Sequence, residues 1–420
     1  TSTNAVGGSS SAPMRRLRPS RREGGSVLVI VAPGQGAQTP GFLRPWLELP
    51  AFADRMHWLS AVADIDLIRF GTEADAEAIR DTAIAQPLLV AAGLAAALEL
   101  FPHPADGFRV LGAAAGHSVG EITAAAGVGV ISAEQAMVFV RERGRAMAAA
   151  SAITPTGMTA IIGGDSDEVT AKLAEHGLTP ANINGAGQVV AAGTLEQLTA
   201  FKNDPPKRAR LVELSVAGAF HTAHMAPAVE TLARYARAIT THDPRARLLS
   251  NRDGAVVHDG REVLRRIVEQ VQNPVRWDLC MDTMRDLGVT GLLEVPPAGT
   301  LVGLAKRALP GVATFAVRTP DDLEAARSFI AEHSAPNPLD ESPSWRLIVS
   351  PLKGTISTAP LEVGTALAAG TTVGTVSSLR DSLPVVAPHG GTVIEWLVAD
   401  GDPVAPGQPL LRLHPEGVFA

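Results

Sequence analysis

Cysteine is nearly absent: Cys280 is the only one in 420 residues. One thiol excludes an internal disulfide and a cysteine-built metal site, and it fits a reducing cytoplasm. Aromatic side chains are scarce, at 4% of the chain, so Ala, Gly and Val must fill the interior instead. Basic residues do not dominate: 36 Lys and Arg face 43 Asp and Glu, and the net charge of −7 argues against nucleic acid as a partner. No apolar run reads as reaching the ~20 residues that span a bilayer, so no membrane partner is expected. The G-x-G-x-x-G and G-x-x-x-x-G-K-[ST] signatures of nucleotide loops are missing, as is the H-E-x-x-H of helical zinc sites.

What remains is a globular composition, 46% apolar and 19% charged, long enough for two or three domains. Residues 1–26 are Ser/Gly-rich and then basic, and read as a disordered arm. The apolar run after it is short for a signal segment and runs straight into Pro33-Gly34. The chain opens on Thr1, so a native start elsewhere is expected, with Met14 one candidate. Val27–Ala32 reads as a buried strand, and Pro33-Gly34-Gln35-Gly36-Ala37-Gln38 as a polar loop at its carboxyl end, where α/β proteins bind ligands.

The chain is organised around Gly116-His117-Ser118-Val119-Gly120. Arg109–Ala115 before it reads as a strand, and Glu121–Ala126 after it as a helix. A serine on so sharp a strand-to-helix turn is pushed to the top of the sheet as a nucleophile, and the helix start offers free N–H groups to an oxyanion. His117 beside it is expected to point away and support the turn. Residues 73–102 and Ala133–Ala150 read as helices, the second carrying Arg141, Arg143 and Arg145. From Met158 to Val216 the order is β-α-β-β-α-β, the ferredoxin-like unit, inserted in the larger domain. His221 and His224 lie three apart with no third ligand in view, so no metal is expected. Residues 334–344 form a Pro/Ser linker. Beyond it Pro351, Gly354, Thr355, Gly364, Gly370 and Val373 recur as Pro388, Gly391, Thr392, Gly401, Gly407 and Leu410 at one offset of 37 residues, which suggests a small pseudo-symmetric barrel or flattened sandwich.

With these motifs assembled, residues 27–333 resemble the malonyl-CoA:acyl carrier protein transacylases of bacteria, of the actinobacterial type. The motifs that carry the resemblance are Pro33–Gln38, Gln86-Pro87-Leu88, Gly116–Glu121, Arg143-Gly144, Asn182-x-Asn184-Gly185, Gly218–His221, Asn273-Pro274-Val275 and Glu294-Val295-x-Pro297. The resemblance implies an α/β-hydrolase-like large subdomain over 27–152 and 219–333, with a ferredoxin-like small subdomain over 153–218. It implies Ser118 as nucleophile and His221 as base, oriented by the Gln270 backbone rather than by a carboxylate. Gln35 and Val119 would supply the oxyanion hole. Arg143 would bind the malonyl carboxylate, with Phe220, Gln86 and Asn184 also at the substrate, and bulky Phe220 favours malonyl over methylmalonyl. The implied reaction passes malonyl from coenzyme A to Ser118 and on to the phosphopantetheine thiol of acyl carrier protein, in fatty acid or polyketide synthesis in the cytoplasm, with no bound cofactor.

Residues 345–415 resemble a biotinyl/lipoyl-attachment domain. Such domains present a lysine between their repeats, whereas the aligned stretch here is Ser377–Ser382 with Arg380 at the modification position, so no biotin or lipoate is expected. Contact with carboxylase or other fatty acid synthesis proteins through 345–415 and a purely structural appendage both remain open. Two rival functions are a serine thioesterase, which would need a downstream acid before its histidine and an HGGG-type loop that is not found, and a non-catalytic scaffold, against which the intact Ser118, His221, Arg143 and Gln35 set speaks.

Overall fold

A computed structural model describes residues 25–216, 218–337 and 345–415. The basic arm through residue 24 and linker positions 338–344 lie outside the described residues. The remaining linker residues are pinned: Asn337 donates its side-chain N–H to the Phe108 and Arg245 carbonyls at 2.7 and 2.8 Å.

The large subdomain is built on a six-stranded sheet in the order Ala313–Ala316, Gly291–Glu294, Leu28–Ala32, Ala113–Gly116, Arg247–Leu249, Val256–Val257. All neighbours are parallel except the last pair. The central strands read Leu-Val-Ile-Val-Ala and Ala-Ala-Ala-Gly and are almost wholly buried, as strands covered on both faces must be. Arg109 and Val110, expected in the nucleophile strand, instead close a short helix Pro104–Val110, and the strand itself is only Ala113–Gly116. Pro104 at the first turn favours the helix, and Gly112 then breaks it.

The apolar stretch Thr82–Leu100 corrects the reading of hydrophobic runs. It is a 19-residue helix long and apolar enough to cross a bilayer by length and composition. It is nonetheless a core helix, lined by buried residues from Ala85 to Leu100 and packed along the helix Ala133–Ser151. Gly144 permits that approach: a Cβ there would stand 2.8 Å from the Thr82 carbonyl oxygen.

The small subdomain carries an antiparallel sheet in the order Ala209–Glu213, Thr156–Gly163, Gln188–Thr194, Thr179–Gly185. A fifth strand, Val275–Arg276, joins it in parallel beside Asn182 and Ile183. This strand comes from the large subdomain, so the insert is stitched to its host by backbone hydrogen bonds.

Residues 345–415 form two four-stranded antiparallel sheets around Ile356, Val376, Val393 and Leu411. One sheet holds Arg346–Val349, Pro409–Pro415, Gly391–Trp396 and Ala366–Leu367. The other holds Ser382–Val386, Thr372–Ser377, Gly354–Thr358 and Pro403–Val404. The repeat offset maps one sheet onto the other, and each takes its short edge strand from the opposite repeat. Arg380 stands on the turn between Thr372–Ser377 and Ser382–Val386, a turn closed by Ser378 N–H on the Asp381 carbonyl at 2.7 Å. This region rests on the large subdomain through Arg346, which reaches Asp106 at 2.5 Å, and through His103 stacked edge-on to His389.

The elbow at Ser118 leaves no room at its two glycines. A Cβ on Gly116 would lie 1.9 Å from the Gly120 carbonyl carbon, and one on Gly120 would lie 2.2 Å from the Ala32 carbonyl oxygen. Both obstacles are backbone. Gly120→Ala is therefore expected to destabilise the fold by about 1–3 kcal/mol or prevent its formation, read as a lowered thermal midpoint or loss of soluble protein.

Candidate active site

Ser118 ends the turn between strand Ala113–Gly116 and helix Gly120–Gly127 with φ of +54°, a left-handed conformation costly for a residue with a Cβ. Asn251 holds it there, accepting the Ser118 N–H on Oδ1 at 2.8 Å and donating Nδ2 to the Gly116 carbonyl at 2.8 Å. His221 arrives from the opposite side, also left-handed at φ +62°, its N–H held by the Val271 carbonyl at 2.9 Å. The two side chains meet with Ser118 Oγ 2.8 Å from His221 Nε2. The other ring nitrogen, Nδ1, lies 2.8 Å from the Gln270 carbonyl oxygen. A carbonyl only accepts, so Nδ1 carries the proton and Nε2 offers its lone pair to the serine hydroxyl.

His221 is buried, and burial followed by the nearby Arg143 charge pushes its pKa down to about 3. The ring is therefore neutral throughout the physiological range, and its Nε2 lone pair is free to accept a proton.

Arg143 lies on helix Ala133–Ser151 and is 0% exposed. Its guanidinium donates to Gln86 Oε1 at 2.7 Å and Gln270 Oε1 at 2.8 Å, and one N–H points toward Ser118 Oγ at 3.5 Å. Both close partners are neutral amides, Nε has no acceptor, and no carboxylate pairs directly with the group among the described residues. Burial lowers its pKa to about 10, with Glu121 opposing, so it stays charged at neutral pH. A buried cation without a direct counter-ion is costly, and its planar fork is of the shape that a carboxylate can meet with two hydrogen bonds.

Gln86 thus belongs to the holding of Arg143 in this structure. Asn184 faces His117, with Oδ1 2.8 Å from Nε2, and His117 packs on Trp277. Phe220 is buried next to His221 in the main apolar cluster. The Pro33–Gln38 loop lies against the elbow, since a Cβ on Gly34 would stand 2.9 Å from the His117 carbonyl oxygen. Gln35 Nε2 donates to the Arg80 carbonyl at 3.1 Å, which ties the side chain to the segment before helix Thr82–Leu100. Among the described residues, the backbone N–H groups of Gln35 and Val119 donate to no protein acceptor. No cluster of three or more metal-ligating side chains occurs among the described residues.

Sequence reasoning missed Asn251 and the side chains of Glu121 and Gln270. Gln270 Nε2 donates to the Ser118 carbonyl at 3.1 Å and to the Glu121 carboxylate. Glu121 also accepts the Asn251 N–H at 2.6 Å. Glu121 stands inside the elbow motif, but its inward direction depends on the helix phase. Nothing local marks Asn251.

The strands, the elbow and the facing serine and histidine define an acyl-transferring α/β protein. Residues 29–322 match the acyl transferase domain family. The malonyl-CoA–acyl carrier protein transacylase of Mycobacterium tuberculosis is 51% identical over 299 residues, which cover 71% of this chain and 98% of that protein. The transacylase of Bacillus subtilis is 31% identical over 74% of this chain and 99% of its own length. The crystal structure of the M. tuberculosis enzyme superposes with a TM-score of 0.69 at 50% identity, covering 71% of this chain and 99% of that one. A malonyl-transacylase in complex with a type II polyketide acyl carrier protein matches at a TM-score of 0.66 and 31% identity, over 72% of this chain and 99% of its own. The chain belongs to the malonyl-CoA:acyl carrier protein transacylase family. Residues 345–415 lie outside the matched family region.

The depressed pKa of His221 carries a direct prediction. Its ring nitrogens should keep the chemical shifts of the neutral Nδ1–H tautomer from pH 8 down to about pH 5, where an ordinary histidine is fully protonated. A titration midpoint near 6.5 in nitrogen-detected NMR would contradict the geometry.

Proposed function

We propose that this protein is an acyl carrier protein S-malonyltransferase working by a two-step exchange on Ser118. In the first step Ser118 Oγ attacks the thioester carbonyl of malonyl-CoA and gives its proton to His221 Nε2. The C–S bond breaks, and the departing coenzyme A thiolate takes that proton. In the second step the phosphopantetheine thiol of acyl carrier protein gives a proton to His221 and attacks the malonyl-serine ester. Ser118 Oγ then recovers the proton as malonyl leaves on sulfur. The N–H groups of Val119 and Gln35 stand ready to stabilise the oxyanion of both tetrahedral intermediates.

The observation that carries this reading is the buried Arg143 guanidinium, aimed toward Ser118 Oγ and held only by neutral amides. A hydrolase of simple esters has no use for such a group; a substrate with a free carboxylate one carbon from its thioester does. Phe220 beside His221 supports malonyl over α-methylated analogues by crowding, a selection of only ~1–3 kcal/mol. Gln86 acts on substrate through Arg143, while Asn184 supports the elbow through His117. The reaction belongs to fatty acid or polyketide synthesis in the cytoplasm and needs no bound cofactor.

The β-rich region 345–415 reads as a biotinyl/lipoyl-like domain without its modifiable lysine. Support comes from its two-fold repeat and from Arg380 on the exposed turn. Arginine stays protonated and is not acylated as lysine is. Two roles fit such a domain: docking of carboxylase or other synthesis proteins, and a structural appendage seated on the large subdomain through Arg346 and His389. A streptavidin blot of the full chain should be blank.

The decisive experiment is intact-protein mass spectrometry after mixing with malonyl-CoA. The wild type should gain one malonyl group, discharged rapidly by holo-acyl carrier protein and slowly by water. Ser118→Ala should gain none. Arg143→Ala should lose about 2–5 kcal/mol of substrate stabilisation, seen as adduct formation only at far higher malonyl-CoA. Release of free coenzyme A without an adduct or carrier loading would mean hydrolysis instead.

A further inference from the structure

Behind the serine and histidine lies a polar cluster that the transfer steps do not use. At its centre is Glu121, on the first turn of helix Gly120–Gly127 and 5% exposed. One carboxylate oxygen accepts the Asn251 N–H at 2.6 Å, and the other accepts Gln270 Nε2. Each neighbour is an arm that ends on the reacting groups. Asn251 grips the elbow at Ser118 N–H and the Gly116 carbonyl. Gln270 holds His221 through its backbone carbonyl and Arg143 through its side-chain oxygen.

The residue type follows from counting donors. Arg143 only donates, so the Gln270 amide must turn its oxygen that way and its NH₂ the other. The Asn251 backbone N–H also only donates. Two donors converge on one buried point, and a carboxylate offers an acceptor oxygen to each. An amide there would set its own NH₂ against one of them.

We infer that Glu121 is a positioning residue of the transfer centre, whose buried carboxylate fixes Asn251 and Gln270 and, through them, the geometry of Ser118, His221 and Arg143. The inference rests on the acyl-transfer reading of the same site. The carboxylate also supplies Arg143 with a counter-charge at one remove, across the Gln270 amide, which leaves the guanidinium's own face free for substrate.

The charged and titratable groups around it are Arg143 from helix Ala133–Ser151, Arg266 from helix Gly260–Gln270, and Cys280 from helix Trp277–Asp286. Burial outweighs the hydrogen bonds and both arginines and raises the Glu121 pKa to about 7. Protonation would place a hydrogen against one of the two converging donors. The arms should therefore loosen as pH falls through about 7, while His221, with its pKa near 3, stays neutral.

The test is the rate at which a fluorophosphonate labels Ser118, a reaction that needs neither malonyl-CoA nor carrier protein. A wrong substrate assignment therefore leaves it untouched. The full-length wild type, Glu121→Gln, Gln270→Leu and the double variant Glu121→Gln/Gln270→Leu are compared between about pH 5 and 9. Glu121→Gln should label about 10- to 100-fold more slowly at pH 8, the worth of one hydrogen bond to a charged group. Both single variants break the Glu121–Gln270 contact, so the double variant should be slowed by clearly less than the product of the two single effects. Wild-type labelling should fall with a one-proton slope below about pH 7, and Glu121→Gln should be flat there. Three results would overturn the inference: a folded Glu121→Gln with wild-type rate and profile, single effects that multiply in the double variant, or a flat wild-type profile. If Glu121→Gln does not fold, the wild-type profile decides alone.

Discussion

A guanidinium buried without a touching carboxylate is the constraint around which the rest of the site is built. Removing such an ion from water costs several kcal/mol even after the protein relaxes. A direct salt bridge would recover much of that, but it would also occupy the face that, on the proposed function, the substrate carboxylate uses. The fold takes a middle course. Gln86 and Gln270 satisfy Arg143 with neutral oxygens, and Glu121 supplies negative charge one amide further away. Gly144 follows from the same demand, because only a residue without a side chain lets helix Ala133–Ser151 come close enough to Thr82 for Arg143 and Gln86 to meet.

Backbone strain is the second element of the design. Ser118 and His221 both occupy the left-handed region, at roughly 1–3 kcal/mol each. Neither conformation persists on local preference alone. Ser118 is clamped by Asn251, and His221 is clamped at its backbone by Val271 and at its ring by Gln270. The clamps come from the segments after strand Arg247–Leu249 and at the end of helix Gly260–Gln270, far from Ser118 in sequence. The mutual aim of the two side chains is a property of the packed large subdomain, not of either turn.

That distribution explains what could be read before folding. The elbow was legible because Gly116 and Gly120 encode a local geometric need. The small subdomain was legible because its alternation of strand and helix is local, and the appended domain because it repeats. Asn251 was not, since it is one polar residue after a short strand, and Ser118 and Gly116, which it holds, lie 133 and 135 residues away. The strand Val275–Arg276 was missed for a related reason: two residues leave no periodicity, and only the neighbouring Asn182 and Ile183 make them a strand. Pro104–Val110 went the other way, because buried apolar residues before an elbow suggest a strand, and proline at the first helical turn outweighed that. No apolar run read as reaching the length of a membrane span, yet Thr82–Leu100 passes that test by length and composition, and it is burial that separates it from one.

The seat of the appended domain bears on the site through one continuous segment. Arg346 binds Asp106 and His389 packs on His103, both at the helix Pro104–Val110. Asn337, in the described part of the linker, is tied to the Phe108 and Arg109 carbonyls of the same helix. That helix leads through Leu111-Gly112 directly into the strand Ala113–Gly116, whose following turn carries Ser118. The Arg346–Asp106 pair is largely shielded from water, where an ion pair is screened less by salt than an exposed one. The added domain therefore grips the amino end of the nucleophile segment, while Asn251, His221, Gln270 and Arg143 converge on its carboxyl end. The contacts of the appended domain and those that fix Ser118 thus fall at opposite ends of one short stretch of chain, separated by a buried strand.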